Sequence, residues 1–217
     1  MATGKKDVRK VTTPRFRASF VWAFKPQPPM EGSTGEPKYG VTMLFDEAAR
    51  KTPQYEAMKK LAVHAAREKF GDKLKPDGKG WFIGLRNPFR DGAEKSELDG
   101  YEGRMFAAAT SKMQPGIVDQ GLNRIISEDD FYSGCYARAT ITAFYYNNKG
   151  NQGVSFGLRN VQKVRDGEPF SGRTKAENDF DQIPMPDGSP AEMGAKPAGV
   201  AAPGAVPAAA AKDPLFD

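Results

Sequence analysis

The chain has 217 residues, with 32 Lys and Arg against 27 Asp and Glu, a net charge of +5 and a pI near 9.2. Its one Cys and one His exclude an intramolecular disulfide and a zinc cage of His and Cys, and leave His64 as the only imidazole base for triad chemistry. No run approaches the roughly 18–20 apolar residues of a membrane span, and basic residues 1–10 lack the apolar stretch of a signal peptide, so a soluble intracellular protein is expected.

In chain order, 15–24 alternates as a half-buried strand, with Phe16, Ala18, Phe20, Trp22 and Phe24 on one face and Arg15, Arg17 and Ser19 on the other. A Pro- and Gly-rich loop over 25–37 follows. A second strand is predicted over 38–45, with Tyr39, Val41, Met43 and Phe45 on one face. A helix starts at the N-cap Thr52 with Pro53 in its first position, runs on the stripe Tyr55, Met58, Leu61, Ala62, Ala65 and Lys69, and exits at Gly71. Segment 80–92 joins Trp81, Phe82 and Phe89 with Arg86 and Arg90 between Gly and Pro breaks. It reads either as a loop closing over a groove or as an aromatic plug. Polar 94–103 reads as a mobile loop. Weaker strands are predicted over 104–110 and 116–119, and a helical turn at Ser127. The strongest strand signal is 135–146; it is joined through the polar turn 147–153 to a hairpin partner over 154–164.

Composition changes near residue 180. Of the 37 residues in 181–217, Ala supplies 10, Pro 7 and Gly 4, too little large apolar surface to offset ordering entropy, so a disordered tail is expected. Charge divides at the same place, +8 over 1–180 and −3 over 181–217. The expected organisation is one domain over 1–180 and a tail over 181–217. The domain is mainly β with minor α: an OB-fold-like, partly open β-barrel with one helix and long loops. An SH3-like barrel or a β-sandwich fits a similar pattern.

The chemistry concentrates on strand faces. Along 135–146 the odd positions are small and apolar, as a core needs. The even positions Tyr136, Arg138, Phe144 and Tyr146, with Thr140 and Thr142, combine a cation with aromatics. Arg159 and Lys163 are read onto the polar face of the next strand, with Ser155 and Gly157. Arg15, Arg17, Lys38, Tyr39, Arg86 and Arg90 complete the candidate set. Cations neutralise phosphates and aromatic rings stack on unpaired bases, which is the requirement of sequence-independent single-stranded nucleic-acid binding. The competing reading makes Phe144 and Tyr146 core residues and the cations a solvated face. Glu128, Asp129 and Asp130 offer carboxylates for a metal-dependent nuclease, but adjacent acids do not converge on one ion without a bend, and acids gather at helix N-termini anyway. Pro76-Asp77-Gly78-Lys79 reads as a turn. No metal or cofactor is expected. At the end of the tail, Asp213, Leu215, Phe216 and Asp217 form an acidic-apolar docking peptide.

The chain resembles a family of phage single-stranded DNA-binding proteins once catalogued as a domain of unknown function. The segments that carry the resemblance are Glu36-Pro37-Lys38-Tyr39, Phe131-Tyr132-Ser133-Gly134-Cys135, Tyr145 through Ser155, Leu158-Arg159-Asn160-Val161-Gln162-Lys163 and Asp166-Gly167-Glu168, within a match over about 15–180. The resemblance implies an OB-fold, sequence-independent coating of single-stranded DNA in phage replication or recombination, and location in the cytoplasm of an infected host. It also implies an acidic tail, through which replication proteins such as a polymerase, helicase or primase would dock. No catalysis is expected. The alternatives are an RNA-binding regulator on the same fold, a nuclease using Glu128, Asp129 and Asp130, and a virion or scaffold protein that does not bind nucleic acid.

Overall fold

The computed structural model describes residues 10–29, 35–148 and 150–170. The tail residues Asp213, Leu215, Phe216 and Asp217 and the rest of 181–217 lie outside the described residues. The strands are β1 (Val11–Thr12), β2 (Phe16–Gln27), β3 (Lys38–Phe45), β4 (Arg90–Asp91), β5 (Met105–Ser111), β6 (Gly116–Val118), β7 (Tyr136–Asn148) and β8 (Asn151–Arg165). Two helices, α1 (Glu47–Arg50) and α2 (Pro53–Phe70), lie between β3 and β4.

Five strands close on themselves. β2 pairs antiparallel with β3, β3 antiparallel with β5, β5 parallel with β8, β8 antiparallel with β7, and β7 antiparallel with β2. One parallel contact in an otherwise antiparallel ring of five is the OB-type barrel. The ring is only partly closed: the β5–β8 and β2–β7 ladders hold two residue pairs each, whereas β7 and β8 pair from Tyr136–Arg165 to Asn148–Asn151.

The interior is filled from both ends. Phe16 of β2, Phe45 of β3, Tyr55 of α2, Phe89 and Phe156 of β8 form a continuous chain of tilted and edge-to-face rings, with centroids 6.1, 5.2, 5.2 and 5.4 Å apart. Each such pair adds about 0.5–1.5 kcal/mol beyond burial. Phe89 enters from 80–92, so that segment plugs the barrel, with Trp81 and Leu85 also buried. α2 forms as its caps dictate. Thr52 Oγ1 accepts from the Tyr55 N–H, Pro53 opens the helix and Gly71 ends it at φ 55°. Tyr55, Met58, Leu61, Ala62 and Ala65 all face the core.

Three expectations need correction. The alternation of β2 does not continue past Ser19. Phe16 and Ala18 point inward, but a bulge between Ser19 and Trp22 inserts one residue, so Val21 and Ala23 take the inward positions and Phe20 and Trp22 turn outward, 42% and 37% exposed. Phe20 sits at φ 46° and the Val21 N–H is taken by Ser133 Oγ. Segment 94–103 is not a free polar loop. Tyr101, 1% exposed, packs with Leu44 and Phe106 in a second small cluster on the outer side of β3 and β5, and its hydroxyl donates to Ser19 Oγ. Lys163 does not share a face with Ser155 and Gly157. A bulge at Arg159 puts Asn160 opposite Thr140 and Leu158 opposite Ile141, which shifts the alternation and pairs Lys163 with core-facing Ala137. Its side chain is 16% exposed and its ammonium is 2.9 Å from Asp166.

Candidate nucleic-acid interface

β7 holds the alternation predicted for it. Ala137, Ala139 and Ile141 are buried, while Tyr136, Arg138, Thr140, Thr142, Phe144 and Tyr146 look outward. Phe144 is 43% exposed. It is therefore an outer-face ring and not a core residue. Tyr145, on the inner parity, packs edge-on against Phe70 of α2 at 5.1 Å and fixes the far half of the hairpin to the helix.

At the near end of β7, Tyr136 is ringed by guanidinium groups. Arg165, paired with it across β8, lies 4.0 Å from the ring centroid, Arg15 5.5 Å and Arg17 5.9 Å. Arg17 is held as a strut. It donates to the carbonyl oxygens of Gly134 and Glu168 and lies 4.2 Å from the Phe170 centroid. Arg138 is oriented by Gln162 Oε1 at 2.7 Å, and Arg15, Arg138, Gln120, Gln162, Thr52 and Gln54 line one open cleft of about 460 Å³. Arg159, exposed at the bulge, lines a second cleft with Thr142, His64 and Glu68.

At the far end, Arg86 extends the sheet beside Gly153 in a parallel bridge, with N–H and C=O bonds to Gln152 and Val154. Gly153 is in turn the partner of Tyr146, so register places Arg86 and Tyr146 on one face. A Cβ at Gly153 would stand 2.8 Å from the Arg86 backbone oxygen, so this approach requires glycine. Lys38 is exposed at the start of β3 and Tyr39 beside it is half-buried. Arg90 is engaged elsewhere. Its guanidinium is bonded to Glu94 and lies 4.9 Å from the Phe106 ring, so it is set apart from the β7 stripe.

Arg15, Lys38, Arg86, Arg138, Arg159 and Arg165 have no acidic partner within 4.0 Å among the described residues, whereas Lys25, Lys51, Lys59, Lys112 and Lys163 do. Arg165 is the residue that the sequence reading missed. Plain alternation from Ser155 and Gly157 already gives it the outer face, and the two one-residue bulges of β8 cancel at its position; it was missed because the predicted strand ended at 164.

Glu128 pairs with Lys25 at 2.9 Å, and no group of three His, Cys, Asp or Glu among the described residues is placed to hold a metal. Asp77 accepts from the Lys79 and Trp81 N–H groups at 2.7 and 2.9 Å, which hold its carboxyl below its usual range and make 76–79 a turn. Burial pushes the Cys135 thiol up to about 11. Burial, and then donation to Asp166, raises the Tyr132 hydroxyl to about 12. No helix among the described residues is long and apolar enough to cross a membrane.

Residues 9–190 match the family model described as the Enterobacter phage Enc34 ssDNA-binding protein. A putative protein, p50, of Acyrthosiphon pisum secondary endosymbiont phage 1 is 33% identical over 180 residues, covering 81% of this chain and 95% of the relative. Among solved structures, the single-stranded DNA-binding protein of bacteriophage Enc34 in complex with ssDNA superposes with a TM-score of 0.59 at 21% identity, over 76% of this chain and 91% of that one. The bacteriophage T7 single-stranded DNA-binding protein gp2.5 gives 0.50 at 14% identity, over 76% and 97%. The chain belongs to the Enc34 ssDNA-binding protein family.

Proposed function

We propose that this member of the Enc34 family binds single-stranded DNA without sequence preference and coats it during phage replication or recombination, as a binding protein and not an enzyme. The observation that carries the reading is the outer face of β7: exposed Phe144, with Tyr136 and Tyr146, between guanidinium groups that have no acidic partner within 4.0 Å among the described residues. Phosphates track Arg15, Arg138, Arg159, Arg165, Lys38 and Arg86, and bases stack on Tyr136, Phe144 and Tyr146. Stacking accepts any base, so affinity comes without sequence readout. The family's Enc34 member, solved in complex with ssDNA, supports the choice of ligand. Preferential binding to single strands opposes re-pairing and nuclease access by mass action. Asp213, Leu215, Phe216 and Asp217 supply a docking peptide for replication proteins in the host cytoplasm.

The test is titration of a fluorescent dT oligomer, with an RNA oligomer of equal length as competitor and a parallel incubation with Mg²⁺ or Mn²⁺. Saturable binding of DNA, weaker competition by RNA and intact oligomer support the reading. No binding, or fragments that appear with the metal, overturn it.

A further inference from the structure

We infer that Phe20 and Trp22 form a second base-stacking platform, and that single-stranded DNA crosses the barrel's outer face between them and Phe144 over a floor of small residues. The inference rests on the ssDNA reading above and adds a path and two contact residues to it.

The register lays out the floor. Trp22 is paired with Gly40, Gly40 with Thr110, Thr110 with Gly157, and Gly157 with Thr142. One step along, Thr42 is paired with Ala108, and Ser155 with Phe144. Ala108 and Ser155 immediately precede Ala109 and Phe156, which are themselves partners, so this second row also runs from β3 to β7. No floor side chain on β3, β5 or β8 is larger than Thr, and at its two glycines there is little room for more. A Cβ at Gly157 would lie 2.5 Å from Thr142 Oγ1 and 3.8 Å from the Phe144 ring; one at Gly40 would lie 3.1 Å from the Ala109 carbonyl oxygen. The result is a shallow trough crossing the strands, with Phe144 at one end and Phe20 and Trp22 at the other.

The aromatic end is not an accident of alternation. Uninterrupted pleating would turn Phe20 and Trp22 inward behind Phe16. Instead the chain takes a bulge and puts a bulky residue at φ 46°, a region that disfavours L side chains. Phe20, Trp22 and Phe144 are the exposed aromatic rings among the described residues. The Lys95 ammonium lies 5.0 Å from the Phe20 centroid, so this end also pairs a ring with a cation. Four inter-strand spacings separate β2 from β7 across the trough, about 19 Å along the sheet. That is a length for several nucleotides, within the roughly 4–16 that one OB fold covers.

Tryptophan fluorescence tests the path directly, because the chain has two tryptophans and the other, Trp81, is 6% exposed in the plug. A dT oligomer should quench the wild-type emission. Trp22→Phe should still bind the oligomer, as read by its anisotropy, but with emission unchanged. Trp22→Ala should weaken binding by about 5- to 150-fold, the range for loss of one stacked base, and Phe20→Leu should weaken it with the melting temperature little altered. Quenching of Trp22→Phe as deep as in wild type, or wild-type affinity of Trp22→Ala, overturns the path while leaving the ssDNA reading standing. Failure of the wild type to bind overturns both. If Trp22→Ala does not fold by circular dichroism, the Trp22→Phe emission decides.

Discussion

Salt dependence measures how many of the cations on this surface meet phosphate. Arg15, Lys38, Arg86, Arg138, Arg159 and Arg165 have no acidic partner within 4.0 Å among the described residues, while Arg90 is bonded to Glu94 and Lys163 to Asp166. Each phosphate neutralised on a single strand contributes about −0.7 to the slope of log affinity against log salt, so full engagement of the six gives a slope of about −4. Between 50 and 200 mM salt, that slope weakens binding by about 300-fold. The assay is titration of a labelled dT oligomer at four or more salt concentrations. Arg138→Ala should make the slope shallower by about 0.7, and Arg138→Ala with Arg165→Ala by about 1.4. Arg90→Ala should leave it unchanged, because Glu94 already neutralises that charge. A slope near zero refutes electrostatic tracking. An Arg90→Ala change as large as that of Arg138→Ala refutes the assignment of which cations take part.

Phe144→Ala should cost about 1–3 kcal/mol of DNA affinity with the melting temperature nearly unchanged, since the ring is exposed; a collapse of the fold by circular dichroism would place the ring in the core. Folding keeps the Cys135 thiol neutral up to about 11 against an ordinary value of 9.0, so its contribution is complete below about pH 9 and is lost as pH rises toward 11, by up to about 1.4 kcal/mol per unit. Urea unfolding at pH 8, 9 and 10 should show the fall, and Cys135→Ala should flatten it. Removing 181–217 deletes a net charge of −3 tethered to a +8 domain and should raise DNA affinity, more at low salt than at high; equal affinities of the two forms at low salt count against self-competition.

What the sequence disclosed was local. The α2 caps Thr52, Pro53 and Gly71 sit within four residues of the groups they satisfy, and the β7–β8 hairpin announces itself through alternation around a polar turn. What stayed hidden depended on partners far along the chain. In β2 an aromatic occupies every second position from Phe20 to Phe24, so the pattern continues smoothly through a bulge that turns Phe20 and Trp22 outward while Phe24 still packs on the core. In β8 the bulge at Arg159 did the same to Lys163, turning it inward, and a second shift returns Arg165 to the face of the β7 stripe. In 92–104 the charged residues around Tyr101 and Leu98 masked two apolar anchors that pack on Leu44 and Phe106, which lie on other strands. Arg90 read as a free cation because Glu94, four residues on, was counted as loop.

Closing the ring between Phe16 and Ala137 brings together residues 121 positions apart. During synthesis at about 5–20 residues per second, β2 leaves the ribosome about 6–24 s before the strand that seals it. Of its two neighbours among the described strands, only β3 exists over that interval, and its other edge is unclaimed. An aromatic strand with an open edge invites pairing with other chains. The bulge at Phe20 lies in the ladder with β3, and the kink it puts into the strand shortens the straight run that a stranger could match along the open edge. The same kink that bares two rings to solvent therefore guards the nascent chain until β7 arrives.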